Sequence, residues 1–264
     1  MLDNVPQHIT AILVVMCATY LAGWLALMRR WRRTGFILFG AGWVANAGLF
    51  VFNWVAAGEP PFGNMYHVQI VLALCFLPLS LMTARRPGFM WTASYFAFAS
   101  ALPLIGAIFM EKNVGWRRMA VLQSPWFVPH VLSYMIGYAL CTVAFVFAMT
   151  RWIRAKILHQ SNLPDYRLAT TDVLRLSFPF MTFGMLSGAL WAEQAWGAYW
   201  SWDAKETWSL ITWMLYALYF HCLNRKSLQP CAEAVQLLGF LALLTTFFLV
   251  NLWPKLSSVL HSYT

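Results

Sequence analysis

Val128-Pro-His-Val-Leu-Ser-Tyr-Met-Ile-Gly-Tyr-Ala-Leu-Cys-Thr-Val-Ala-Phe-Val-Phe-Ala-Met-Thr150 runs for 23 residues without an Asp, Glu, Lys or Arg, and Arg151 ends it. A helix rises about 1.5 Å per residue, so about 20 apolar residues cross a hydrocarbon layer about 30 Å thick. Seven more stretches of this kind surround 128–150: residues 9–28, 34–57, 65–83, 89–109, 173–192, 207–223 and 231–253. Backbone polar groups in lipid need internal partners, so the stretches read as helices. Nothing shows the short alternating pattern of a membrane barrel. The expected fold is all-α: a polytopic transmembrane helical bundle of about eight spans, forming a single integral membrane domain over 1–264.

The composition agrees. Of 264 residues, 61% are hydrophobic and 10% charged, against roughly a quarter charged in soluble domains. That excludes disorder, a nucleic-acid module and most soluble enzymes. The net charge of +9 marks cytoplasmic loops in a membrane chain rather than nucleic-acid contacts. Thirteen of the 18 Lys and Arg fall in alternate connections, with Arg29, Arg30, Arg32 and Arg33 in the first of them. The other five are Lys112, Arg117, Arg118, Lys205 and Lys255. The positive-inside rule makes the first set cytoplasmic and puts both termini outside. No basic residue precedes the first apolar run and four arginines follow it, which reads as a span rather than a cleavable leader. The five cysteines form no CxxC pair. We read no disulfide framework, no zinc site and no c-type haem attachment motif in this chain. Pro78, Pro103 and Pro179 fall within spans and predict kinks; Pro125 and Pro129 sit where span five starts, and Pro254 closes the last span.

One outer connection is unusual. Trp191-Ala-Glu-Gln-Ala-Trp196-Gly197-Ala-Tyr199-Trp200-Ser-Trp202-Asp203-Ala-Lys205-Glu206-Thr207-Trp208 puts five Trp and one Tyr in eighteen residues. Asp203 and Glu206 have the spacing of a capping box that opens span seven. The rings read either as an interfacial aromatic belt or as a platform for a large, flat, amphipathic ligand. In the second case Lys205 and the positive end of span seven would meet its carboxylates. Residues 193–208 are the candidate ligand loop.

Of six histidines, His130 opens span five on the outer side and His261 lies in the outer tail. With the tryptophan loop they compose a site suited to haem held by two imidazoles. His221 lies eighteen residues beyond Asp203, about 27 Å along a helix, beside Cys222 at the inner border. It reads either as a functional intramembrane histidine or as an interfacial one next to Arg225 and Lys226. His67 reads as a helix-start residue, His8 and His159 as solvated, and Cys222 as a buried neutral thiol.

Trp196-Gly197-x-x-Trp200-x-Trp202-Asp203-x-Lys205-Glu206-Thr207-Trp208 leads into Leu210-Ile-Thr-Trp213 and Tyr216-Ala-Leu-Tyr219-Phe-His221. The run resembles the signature of the haem-handling, tryptophan-rich "WWD" family, in its CcsA (ResC) branch from the system II cytochrome c synthase. The tail is similar too, at Leu238-Gly239-Phe240, Thr246-Phe247-Phe248, Val250-Asn251 and His261-Ser262-Tyr263. The resemblance is strongest over 190–264, and extends to Pro129-His130 and to Pro60–Tyr66. It implies transfer of haem b across a bacterial cytoplasmic membrane or its organellar equivalent. It further implies thioether attachment to the CxxCH segment of an apocytochrome c at the outer, periplasmic-type face, as a haem lyase. His130 and His261 match the outer axial pair, and His221 the histidine of a transmembrane haem site whose second ligand comes from a CcsB (ResB)-like partner. Trp196, Gly197, Trp200, Trp202, Asp203, Lys205, Glu206 and Trp208 would form the haem-binding loop. No residue is expected to act as a nucleophile, since the thiols belong to the substrate. The family usually continues Asn-x-Tyr with Glu, where this chain has His67. Two other functions fit the residues: a haem transporter or chaperone that performs no attachment, and a b-type electron-transfer subunit.

Overall fold

Inside lipid, a proline at position i leaves the carbonyl of residue i−4 without its helical donor. Pro78 does this to Leu74, and the indole N–H of Trp43, on another helix, donates to the Leu74 carbonyl at 2.9 Å. Bonds of this kind organise the first half of the chain. The computed structural model describes residues 5–112 and 122–249. Eight α-helices are present among them: α1 (Val5–Met28), α2 (Arg32–Ala57), α3 (Met65–Ala84), α4 (Ala93–Phe109), α5 (Phe127–Trp152), α6 (Tyr166–Trp196), α7 (Ala204–Asn224) and α8 (Ala232–Leu244). Single 3-10 turns lead into α4 and α8, and π-turns follow α5 and α8. No strand occurs among the described residues.

The chain divides into two compact units, Met1–Ala120 and Val121–Thr264. In the first, α1 packs on α2 and α4, and α3 packs on the same two helices. Polar residues of α2 face α3. Asn46 donates to the Ile70 carbonyl at 3.2 Å, and the Asn53 amide bonds the Tyr66 hydroxyl at 3.2 Å. Without competing water, such bonds are a main source of helix association. In the second unit α5 packs on α6 and α8, and α7 packs on α6 and α8.

Among the described residues, seven helical segments are long and apolar enough to cross a membrane: Pro6–Met28, Arg32–Ala57, Met65–Ala84, Met90–Phe109, Phe127–Ile157, Tyr166–Trp196 and Gln229–Phe248. The chain is an integral membrane protein. The remaining expected span, α7, has 21 residues and the length to cross, but too many polar side chains to qualify by apolarity. Its packing accounts for that. Thr171 of α6 meets the Tyr219 hydroxyl at 3.0 Å, and Thr182 accepts from the Trp213 indole at 2.9 Å. Thr212 meets Thr246 at 3.5 Å. Advancing along α6 goes with retreating along α7, so α7 lies antiparallel between two crossing segments and spends its polar groups on them.

Helix ends differ from the hydropathy reading where polar residues continue a helix past its apolar run. The helix expected over 173–192 spans Tyr166–Trp196, because the Asp165 carboxylate caps the Leu168 N–H at 2.9 Å and so starts the helix earlier. Pro78, Pro103 and Pro179 lie inside α3, α4 and α6. Pro254 lies outside the described residues.

Replacing Trp43 with Phe should strand the Leu74 carbonyl and lower stability in detergent by about 1–3 kcal/mol. Pro78→Ala in the same chain should recover most of that, because it restores a backbone donor. Thermal unfolding of the two single variants and the double variant checks the coupling; strict additivity refutes the compensation.

Candidate functional site

The start of α5 and the second half of α6 approach closely enough for a side chain of one to bond the backbone of the other. His130 Nδ1 lies 2.8 Å from the Gly184 carbonyl. A carbonyl only accepts, so Nδ1 carries a proton in this contact. One turn further along α6, Gly188 makes the room. A Cβ there would lie 2.5 Å from His130 Nδ1 and 2.6 Å from its Cε1. A bound backbone carbonyl on one ring nitrogen is how proteins orient an imidazole whose other nitrogen faces a metal.

Aromatic rings wall this histidine. Trp191 lies against it, centroids 5.5 Å apart at 32°, and Tyr134 meets it edge-on at 5.1 Å. Trp191 is buried and also contacts Phe127 at 5.3 Å and Trp196 at 4.9 Å. The Tyr134 hydroxyl lies near the Ser209 side chain, in the second turn of α7. A continuous set of contacts therefore joins His130 to the helix that the tryptophan motif opens.

The motif itself is a turn between two helix ends. Trp196 is the last residue of α6, and Gly197 follows in the left-handed conformation (φ 76°), its N–H on the Glu193 carbonyl at 2.8 Å. Trp202 also takes positive φ, 61°, which costs a side-chain-bearing residue energy and must be held in place. What holds it is the cap of α7. Asp203 accepts the Glu206 N–H at 2.8 Å. The Glu206 carboxylate accepts from the Ser201 N–H at 2.8 Å, the Ser201 hydroxyl at 3.1 Å and the Asp203 N–H at 3.3 Å. The capping box is complete. Both acids thus act on the loop's own backbone and help set the positions of the rings.

Those rings split into two groups. Tyr199 and Trp202 are 58% and 69% exposed, whereas Trp196, Trp200 and Trp208 are half-buried. Trp200 packs edge-on against Trp202 at 5.8 Å. Its indole nitrogen is buried, and no acceptor lies within reach of it. An unpaired buried donor beside exposed aromatic faces is the arrangement expected where a ligand with acceptor groups settles. Lys205 is half-buried in the first turn of α7.

His261 lies outside the described residues. His221 is exposed in the last turn of α7, at the end away from the tryptophan loop. Its neighbours Tyr219 and Cys222 are buried. Two residues turn the helix by about 200°, which sets His221 opposite Tyr219, on the face away from the unit's interior. Among the described residues, no three His, Cys, Asp or Glu side chains gather as a metal site. His67 is the third residue of α3, where Asn64 caps its N–H at 2.7 Å; its ring is fully buried with both nitrogens unpaired. Tyr134, Trp191, Gly184 and Gly188 were not singled out from the sequence as site residues. Tyr134 is one turn beyond His130, and the Gly-x-x-x-Gly spacing marks close helix approach; together these are the signals that point to them.

Gly188→Ala should force the His130 ring off the Gly184 carbonyl and destabilise the protein by about 1–3 kcal/mol. Glu206→Ala should cost a similar amount, about 1–3 kcal/mol, by orphaning the Ser201 and Asp203 donors. Both are read as loss of thermal stability, and Glu206→Ala also as faster proteolysis between 197 and 203. Unchanged melting in both variants would contradict these assignments.

Residues 62–257 match the family model described as "Cytochrome C assembly protein". "Cytochrome c biogenesis protein CcsA" of Solanum bulbocastanum is 30% identical over 261 residues, covering 82% of this chain and 80% of that protein. The protein of that name from Chloranthus spicatus is 30% identical over 273 residues, covering 82% and 81%. Its counterpart from Chlamydomonas reinhardtii is 34% identical over 235 residues, covering 81% of this chain and 64% of the other. The matched segment takes in α3 to α8, with the tryptophan loop and His130, and on that extent the chain belongs to the cytochrome c assembly protein family.

Proposed function

We propose that this chain is the haem-handling subunit of a cytochrome c synthase. It carries haem b across a bacterial cytoplasmic membrane or an organellar equivalent and presents it, as substrate, for attachment to apocytochrome c. The observation that carries the reading is His130, whose Nδ1 lies 2.8 Å from the Gly184 carbonyl and whose ring packs against Trp191, five residues before Trp196. His261 supplies the second outer ligand. Trp196, Gly197, Trp200, Trp202, Lys205 and Trp208 form the surface against which the macrocycle rests, and Asp203 and Glu206 hold that surface in shape.

In attachment, each thiol of a CxxCH segment adds across one haem vinyl group. A carbon–sulfur bond forms, the thiol proton passes to the other vinyl carbon, and no electrons are gained or lost overall. The chain contributes position: haem and peptide held together react as an oriented pair. Axial imidazoles tune the iron, and the substrate's own histidine replaces one of them. His221, exposed at the other end of α7, completes a second haem site with a ligand from a CcsB (ResB)-like partner. The arginine-rich connections face the cytoplasm, both termini face outward, and the tryptophan loop works on the outer, periplasmic-type side.

Co-expression with the partner and a reporter apocytochrome tests the reading. Covalent cytochrome c should accumulate, and His130→Ala should reduce it by about 10²-fold, with partial rescue by added imidazole. His221→Ala should abolish maturation with His130 and His261 intact. A chain that binds haem yet yields no covalent product with its partner is a carrier without attachment activity, which refutes the synthase role. Reporter fusions near Arg154 and at the C-terminus should give opposite signals; matching signals refute the orientation.

A further inference from the structure

The second unit holds a concavity with charged residues among its lining, at the end of α7 away from the tryptophan loop. It measures about 240 Å³ and opens among the last turn of α5, the first turns of α6 and α8, and the end of α7. Two guanidiniums converge at it on one carboxylate. Arg151 reaches Glu233 at 3.0 and 3.1 Å, and Arg167 reaches it at 2.9 Å. The Glu233 side chain is 46% exposed and that of Arg167 71%. Pairs so exposed hold little energy and exchange readily. The wall is different. Gln236 is 1% exposed and lines the cleft, and its amide nitrogen is buried with no hydrogen-bond partner. Tyr166 and Tyr219, both buried, form the floor.

The donors exceed the acceptors. Two cations face one anion at the mouth, and an unpaired amide N–H waits in the wall. An oxyanion would satisfy all of them: guanidiniums bind phosphate in a fork, and a buried amide donor gains a bond it lacks. The depth adds a second condition. Segments Phe127–Ile157 and Tyr166–Trp196, long and apolar enough to cross a membrane, carry Arg151 and Arg167 near the ends that meet here, beside the start of Gln229–Phe248; the ends of spanning helices lie at headgroup level. Basic pockets between transmembrane helices at that level take lipid headgroups.

We propose that this cleft binds the phosphodiester of an anionic phospholipid. Arg151 and Arg167 are its cationic partners, Gln236 is the amide donor, and Glu233 is an internal occupant that the headgroup displaces. Glu233 and the lipid compete for the same guanidiniums, so removing the carboxylate's charge strengthens lipid binding while removing the guanidiniums weakens it. A purely structural ion-pair network has no such opposition of sign.

The test is native mass spectrometry of the full chain, delipidated in detergent. It is titrated with phosphatidylglycerol, with phosphatidylcholine of the same acyl chains, and with inorganic phosphate as competitor. Phosphatidylglycerol should be retained in preference to phosphatidylcholine. The Arg151→Gln, Arg167→Gln double variant should reduce that retention about tenfold. Gln236→Leu should reduce it several-fold, and Glu233→Gln should raise it several-fold. Glu233→Gln keeps the side-chain shape and carries the test if the double variant does not fold. Equal retention of the two lipids overturns the proposal. So does a Glu233→Gln variant that binds phosphatidylglycerol no better, or inorganic phosphate that displaces the lipid at equal concentration.

Discussion

Hydrocarbon offers no hydrogen bonds, so each polar group carried into it must meet another polar group of the chain. The two units answer this constraint differently. In the first, α2 presents Trp43, Asn46 and Asn53 to α3, and the donors of Trp43 and Asn46 end on α3 carbonyls. Pro78 creates the vacancy that Trp43 fills, so a kink in one helix and an indole on its neighbour form one device. In the second, hydroxyls and thiols close the seam. Ser177 donates to the Gly137 carbonyl at 3.0 Å and meets Cys141 at 3.2 Å, deep between α5 and α6.

The α5–α6 seam serves the candidate site through small residues. Gly137 faces Met181, Gly184 faces the Tyr134 ring, and Gly188 faces His130. Missing Cβ atoms let the backbones approach, and approach brings the Gly184 carbonyl to His130. Orientation of the imidazole is thus tied to helix packing.

The tryptophan loop shows how a motif divides its labour. Its aromatic residues are the exposed and half-buried rings; its acids cap α7. Asp203 and Glu206 bond Ser201, each other and the start of α7, and they hold Trp202 at a backbone angle it would not adopt alone. A change at either acid therefore alters the aromatic surface without having touched a ligand.

The sequence alone determined the helical architecture and the existence of the loop's cap. Both are local: apolarity summed over about 20 residues decides insertion, and an Asp-x-x-Glu spacing closes on its own backbone. The length of α6 was less legible, because polar turns past the apolar run are helical without being hydrophobic. Tertiary structure alone decided that α7, too polar to stand in lipid by itself, lies antiparallel between α6 and α8. It also decided that Trp43 serves Leu74 and that His130 is bound to Gly184 beside Gly188, contacts that join residues 31 and 54 positions apart. Such pairings depend on the rotation and register of whole helices. Those follow from the sum of packing along each interface, and no window of sequence contains that sum.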